Sequence, residues 1–99
     1  MEVKHESDIF YIGKNKEDYQ TKVTYTFFRD DVIVIKETRS KKEYRGQGQA
    51  KKVLAAVIEW AREKDMKILP ECPYASKVMR ENDDYTDMIF SDGKNESSE

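Results

Sequence analysis

The sequence predicts a single α+β domain, a mixed and mostly antiparallel sheet flanked by two helices. Three stretches carry that expectation. KVTYTFF at 22–28 alternates, and VIVI at 32–35 is an unbroken β-branched run. AKKVLAAVIEWAREK at 50–64 then repeats apolar residues at helical spacing, and the short apolar MKILP follows at 66–70. Two strand-like runs across a three-residue turn make a hairpin, and an amphipathic helix then lies on the sheet before a further short strand.

In order, IFYI at 9–12 is the first strand, and GKNKED at 13–18 is a turn. The turn contains Gly-Lys but lacks the upstream glycine and the Ser or Thr of a phosphate-binding P-loop. In the next strand Val23, Tyr25 and Phe27 face one way, and Thr24, Thr26 and Phe28 the other. RDD at 29–31 closes the hairpin. The VIVI run predicts a strand covered on both faces and therefore central in the sheet. RSKKEYRGQGQ at 39–49 is a polar loop. The long helix buries Val53, Leu54, Val57, Ile58 and Ala61, with Trp60 at the edge of that stripe. MKILP is a short strand ended by proline, and YASKVMREN at 74–82 is a second helix that starts just after Pro73. DDYTDMIF at 83–90 adds a short strand or coil. Met66, Met79 and Met88 read as core filler. The domain covers 1–90, and the acidic SDGKNESSE at 91–99 is a disordered tail.

The chain has 99 residues and a formal net charge of −2, so nothing in its overall charge favours nucleic acid. The charge is unevenly placed. Residues 36–52 hold seven Lys or Arg against two Glu, and residues 81–99 hold seven Asp or Glu against one Lys. The basic stretch suits an anionic ligand or is simply a solvated face; with only Tyr44 interleaved, it lacks the stacking aromatics of a nucleic-acid surface. Cys72 is the only cysteine, which excludes an intramolecular disulfide and fits a reducing cytoplasm. The N-terminal MEVKHESDIF is charged and mobile, holds the only histidine, His5, and is no signal peptide. No apolar run approaches the ~20 residues that span a bilayer, so no membrane is expected. One histidine and one cysteine cannot build a zinc centre, so no metal is expected.

The stretch EYRGQGQAKKVL at 43–54 poses the functional question. It leaves a buried strand and opens a long helix through two glycines. A helix N-terminus offers unpaired backbone N–H groups and a positive dipole end. Glycines let a backbone approach a ligand closely. Together they make a phosphate site. Alternatively Gly46 and Gly48 only shape a tight loop. Lys51 and Lys52 in the first turn oppose the dipole unless a polyanion sits there.

The spacing Arg45-Gly46-Gln47-Gly48-Gln49-Ala50 resembles the pyrophosphate-binding motif of the GNAT superfamily of acetyl-CoA-dependent N-acetyltransferases. The resemblance extends over 32–89 and the hairpin before it. It is similar to the small single-domain GNAT-like family of roughly one hundred residues, through the RGQG turn, the PECPY segment at 70–74 and DYTD at 84–87. It implies a truncated GNAT-like fold that uses acetyl-CoA as co-substrate. Backbone amides from Arg45 to Ala50, with Lys51, would hold the pyrophosphate. The main chain at Thr38, Arg39 and Ser40 would pair with the pantetheine arm as an added strand does. The acetyl carbonyl would be polarised by a backbone N–H, and a neutral amine would attack it directly.

One departure stands out. Where relatives carry His-Thr at the end of the central strand, this chain has Glu37-Thr38. Glu37 is the candidate general base, against the alternative of a solvated glutamate paired with lysine. Cys72 lies where the resemblance implies the thioester. It is a candidate nucleophile, a candidate acid for the departing thiolate, or a small buried apolar residue. Tyr74 and Tyr85 have hydroxyls able to protonate that thiolate, or they only pack. So short a chain leaves the acceptor side open. An unidentified amine, free or on a protein, is the expected acceptor, and the chain itself is a monomer or weak homodimer. The alternative is a CoA- or acyl-CoA-binding module or sensor without catalysis.

Overall fold

Strands adjacent in the chain lie side by side in the sheet. The computed structural model describes residues 2–91, so the expected tail, Ser91 apart, lies outside the described residues. The elements are β1 (Lys4–Glu6), β2 (Ile9–Gly13), β3 (Tyr19–Arg29), β4 (Val32–Ser40), α1 (Gln49–Glu63), β5 (Lys67–Pro70) and α2 (Pro73–Glu81). The sheet order is β1-β2-β3-β4-β5. The first four pair antiparallel, and β5 lies parallel to β4 because α1 carries the chain back. Short 3₁₀ turns occupy Lys42–Tyr44 and Thr86–Met88. Ile89 then makes a single parallel bridge to Ile68 in place of a last strand. Among the described residues no helix is long and apolar enough to cross a membrane.

The helical stripe behaves as its spacing predicts. Val53, Leu54, Val57, Ile58 and Ala61 are fully buried, and each large apolar side chain removed from water contributes about 1.5–3 kcal/mol. They form one core with Phe10, Ile12, Val23, Tyr25, Ile33, Ile35 and Ile68 of the sheet and Ala75 and Met79 of α2. Both helices therefore cover the same face. Ile9, Tyr11, Val32 and Val34 are also buried, yet stand outside that core, because strand alternation points them to the other face. β4 lies between β3 and β5, as its unbroken apolar run predicts.

One expectation changes. The N-terminal residues form β1 in place of a mobile arm. His5 stacks on Phe10 at 3.9 Å between ring centroids and meets the edge of Trp60 at 4.7 Å. Tyr25 donates its hydroxyl proton to Ser7 O at 2.8 Å, so its oxygen accepts from His5 Nε2 at 2.8 Å. Burial between these rings lowers the His5 pKa. Phe27 shares a face with Val23 and Tyr25, as its spacing predicts, yet is 55% exposed. It lies near the hairpin tip, where Phe28 has no partner because the register jumps from Phe27↔Ile33 to Arg29↔Val32.

A second irregularity shapes everything below. The β3–β4 register runs Tyr25↔Ile35 and then Thr24↔Glu37, so Lys36 is one extra residue in β4. Such a bulge reverses which side chains point inward. Beyond it, Thr38 sits opposite Val23 and Ser40 opposite Thr21, both on the helix-covered face. Glu37 and Arg39 are turned to the open face.

Candidate functional site

The bulge coincides with a fork in the sheet. β4 and β5 pair from Val32↔Lys67 to Ile35↔Pro70 and no further. There Glu71 and Cys72 both donate their N–H groups to Ile35 O, each at 3.1 Å. Pro73 then starts α2, where its missing N–H costs nothing. Residues 36–40 of β4 run on without a strand partner on that side among the described residues. The crotch of the fork holds Cys72, buried at the N-cap of α2, whose Sγ lies 3.4 Å from Thr38 Oγ1. Tyr74 follows, half-buried against the core. Burial pushes its phenol pKa up, and negative charge at Cys72 adds to the shift, so Tyr74 stays protonated at neutral pH.

The turn from β4 to α1 borders the same region. Gly46 and Gly48 have φ of 77° and 81°, in the left-handed region that only glycine adopts freely. A Cβ at either would meet nothing within 4 Å, so conformation demands these glycines and the space beside them is open. Gly48 is the N-cap of α1 and makes no side-chain cap bond. The first helical bond runs from Lys52 N–H to Gly48 O at 3.1 Å. Amides ahead of it in the helix have no intrahelical acceptor. No acidic residue lies in that first turn.

Other sequence-chosen residues hold the turn in place. Arg45 Nε donates to Ser40 O at 3.1 Å, and Gln47 Nε2 to Glu43 O at 3.0 Å. Gln49 is buried, accepts from Thr21 Oγ1 at 2.8 Å and donates to Gln20 Oε1 at 2.8 Å. Thr21 also shares a 2.8 Å hydrogen bond with Ser40 Oγ. Thr21 and Gln20 thus anchor the start of α1 to β3, a role that no local pattern announces. Ala50 is half-buried, and exposed Lys51 points to a groove of about 450 Å³ shared with Val78, Glu81, Asn82, Asp83 and Asp84.

Glu37 stands apart from Cys72 and Thr38. Its carboxylate lies 3.0 Å from Arg39 Nε and 4.0 Å from Lys22 Nζ, on the open face. Arg39, expected beside the pantetheine, spends its guanidinium there, and that contact raises its pKa. The bulge separates the two sets. Among the described residues no group of acids, His and Cys is arranged to hold a metal.

The architecture and the turn have counterparts among known proteins. The sequence model of one family, the GCN5-related N-acetyl-transferases, matches residues 9–88. Among curated proteins none matches. The NMR structure of a GCN5-like protein from Staphylococcus aureus superposes with a TM-score of 0.77 at 36% identity, covering 91% of this chain and 88% of that one. A crystal structure of a GNAT-family acetyltransferase from Staphylococcus aureus shares the fold at a TM-score of 0.54 and 19% identity, over 63% of this chain and 40% of that one. With a family match across most of its length and a relative over a third identical, the chain belongs to the GCN5-related N-acetyltransferase family.

Proposed function

We propose that the protein is an acetyl-CoA-dependent N-acetyltransferase whose acceptor is an amine reached from the open side of the fork. One observation carries this reading: β4 parts from β5 at Ile35↔Pro70, and its unpaired edge runs on to Ser40, where Arg45 ties it to the turn that leads into an uncapped, glycine-led helix start. A free strand edge takes an extended amide-bearing arm by adding it as a strand. Helix-start amides take a pyrophosphate. Acetyl-CoA carries both groups, in that order, and would supply an activated thioester when bound.

The chain's own residues then have distinct tasks. Backbone at Thr38, Arg39 and Ser40 aligns the arm, and the amides around Gly46 to Lys51 hold the phosphates. A neutral amine attacks the carbonyl carbon, the C–S bond breaks, and the thiolate leaves. Tyr74, held protonated by burial, donates the proton that the thiolate takes up. Cys72 lies beside Thr38 to line the crotch or give up its own proton. Glu37 takes the proton from the amine once the acceptor displaces Arg39 from it. A lone thiol suits the cytoplasm.

The ion pairing of Glu37 favours a second reading, a CoA- or acyl-CoA-binding sensor without turnover. Calorimetric titration with CoA and acetyl-CoA, followed by an acetyl-transfer assay on lysine-bearing peptides, separates the two. Micromolar binding with turnover supports the enzyme; binding without turnover supports the sensor. Gly48→Asp abolishes binding, while Gly48→Ala, which costs about 1 kcal/mol of backbone strain, leaves a folded protein as the control. Full CoA affinity in folded Gly48→Asp overturns the turn assignment. Glu37→Gln lowers turnover and spares CoA affinity; unchanged turnover removes Glu37 as base.

A further inference from the structure

Two grooves border the glycine turn, one acidic and one charge-balanced. One, described above, carries Lys51 against Glu81, Asp83 and Asp84. The other, of about 270 Å³, lies across the turn and is lined by Lys14, Asp18, Tyr19, Gln20, Lys41, Glu43 and Tyr44. Glu43 and Tyr44 directly precede Arg45 and Gly46, so one wall of this groove leads straight into the turn. Tyr19 opens β3, with Lys41 Nζ 4.6 Å and Lys22 Nζ 4.9 Å from its ring centroid. Among the described residues neither Lys14 nor Lys41 has a carboxylate within ion-pair distance, whereas Lys22, Lys36 and Arg39 each have one.

We propose that the Tyr19 groove receives the 3′-phosphoadenosine end of CoA, with Lys41 and Lys14 on the 3′-phosphate and Tyr19 under the base. The assignment rests on the CoA reading above. Three features select this groove over its neighbour. The neighbour sets three carboxylates against one ammonium group, whereas here Lys14 and Lys41 balance Asp18 and Glu43 without pairing to them, so a phosphate monoester dianion is repelled there and held here. A purine needs a flat partner, and an aromatic ring is worth about tenfold or more in affinity per stacked base. Lys41 has a long flexible stem, so it exchanges its weak contact with the Tyr19 ring for the phosphate and frees that ring face for the base.

The expectation is specific to ligand parts. Calorimetry compares CoA, 3′-dephospho-CoA and 4′-phosphopantetheine on the wild-type protein, Lys41→Gln, Lys14→Gln and Tyr19→Leu, each checked for folding by circular dichroism. The wild type binds CoA about tenfold tighter than 3′-dephospho-CoA, and Lys41→Gln binds the two nearly alike. Lys14→Gln, in an exposed turn, narrows the difference and keeps the fold secure. Tyr19→Leu weakens both nucleotides about tenfold and leaves 4′-phosphopantetheine unchanged. Equal wild-type affinity for CoA and 3′-dephospho-CoA overturns the proposal, as does a difference that survives both lysine substitutions. These outcomes leave the turn assignment standing. Absence of CoA binding to the wild type instead fells the parent reading, and this one with it.

Discussion

The two faces of the sheet bury their apolar residues by different means. Under α1 and α2, side chains such as Ile33, Ile35 and Ile58 are sealed by other apolar side chains and are completely inaccessible. On the open face, Ile9, Tyr11, Val32 and Val34 are nearly as buried without any helix above them. Charged side chains share that face. Lys36 pairs with Glu71 at 2.8 Å, Arg39 with Glu37 at 3.0 Å, and Tyr11 donates to Glu6 at 2.6 Å. That last bond pushes the Tyr11 pKa up to about 12. Long charged side chains can lay their stems over apolar surface and keep their heads in water. Arg29 over the Phe90 ring closes the far end the same way. Burial, then, does not mean equal stiffness. A face of solvated ion pairs yields to a perturbation that a close-packed core resists.

Substitutions test that contrast, in falling order of effect. Ile58→Ala opens a void beneath a helix that cannot collapse, and urea melts show a loss of about 3 kcal/mol. Val34→Ala on the open face loses only about 1 kcal/mol, because the stems above it settle into the space. An equal loss at both sites would mean that the open face is as tightly packed as the other. His5 tests the rim of the helix-covered face through pH. Burial lowers its folded-state pKa, so the unfolded chain takes up the proton first, near pH 6.5. Stability is therefore full above that pH and falls as pH drops through the lowered folded value. Thermal melts of the wild type between pH 7 and pH 5 follow that fall, and His5→Phe flattens it. Lys36→Ala removes an exposed ion pair and leaves the urea midpoint unchanged within error.

What the sequence made legible was local. The α1 stripe, the VIVI run and the spacing of Gly46 and Gly48 each sit within a few neighbouring residues, so period and turn chemistry reveal them. The contents of the fork are not local. Nothing in VIVIKET marks Lys36 as an extra residue, and plain alternation would have aimed Glu37 toward the helices. Gln49 reads as part of a ligand-facing turn. Yet its side chain is taken by Thr21 and Gln20, nearly thirty residues earlier. His5, a lone ring among charges, has no period to betray it; its place depends on Phe10, Tyr25 and Trp60 meeting in space. The acceptor, the oligomeric state and the acyl group depend on molecules outside the chain, and no residue pattern encodes them.

The additional residue in β4 has a consequence for how this segment can change over time. Lys36 is the one residue the segment can lose without turning its side chains over. Without it Ile35 and Glu37 would be neighbours opposite Tyr25 and Thr24, and plain alternation would keep Glu37 and Arg39 on the open face and Thr38 and Ser40 beneath α1. What would disappear is the bend in β4 and the Lys36–Glu71 ion pair at the fork. The segment can shorten by one codon at that point and keep its orientation; what it gives up is the kink at which β4 and β5 part.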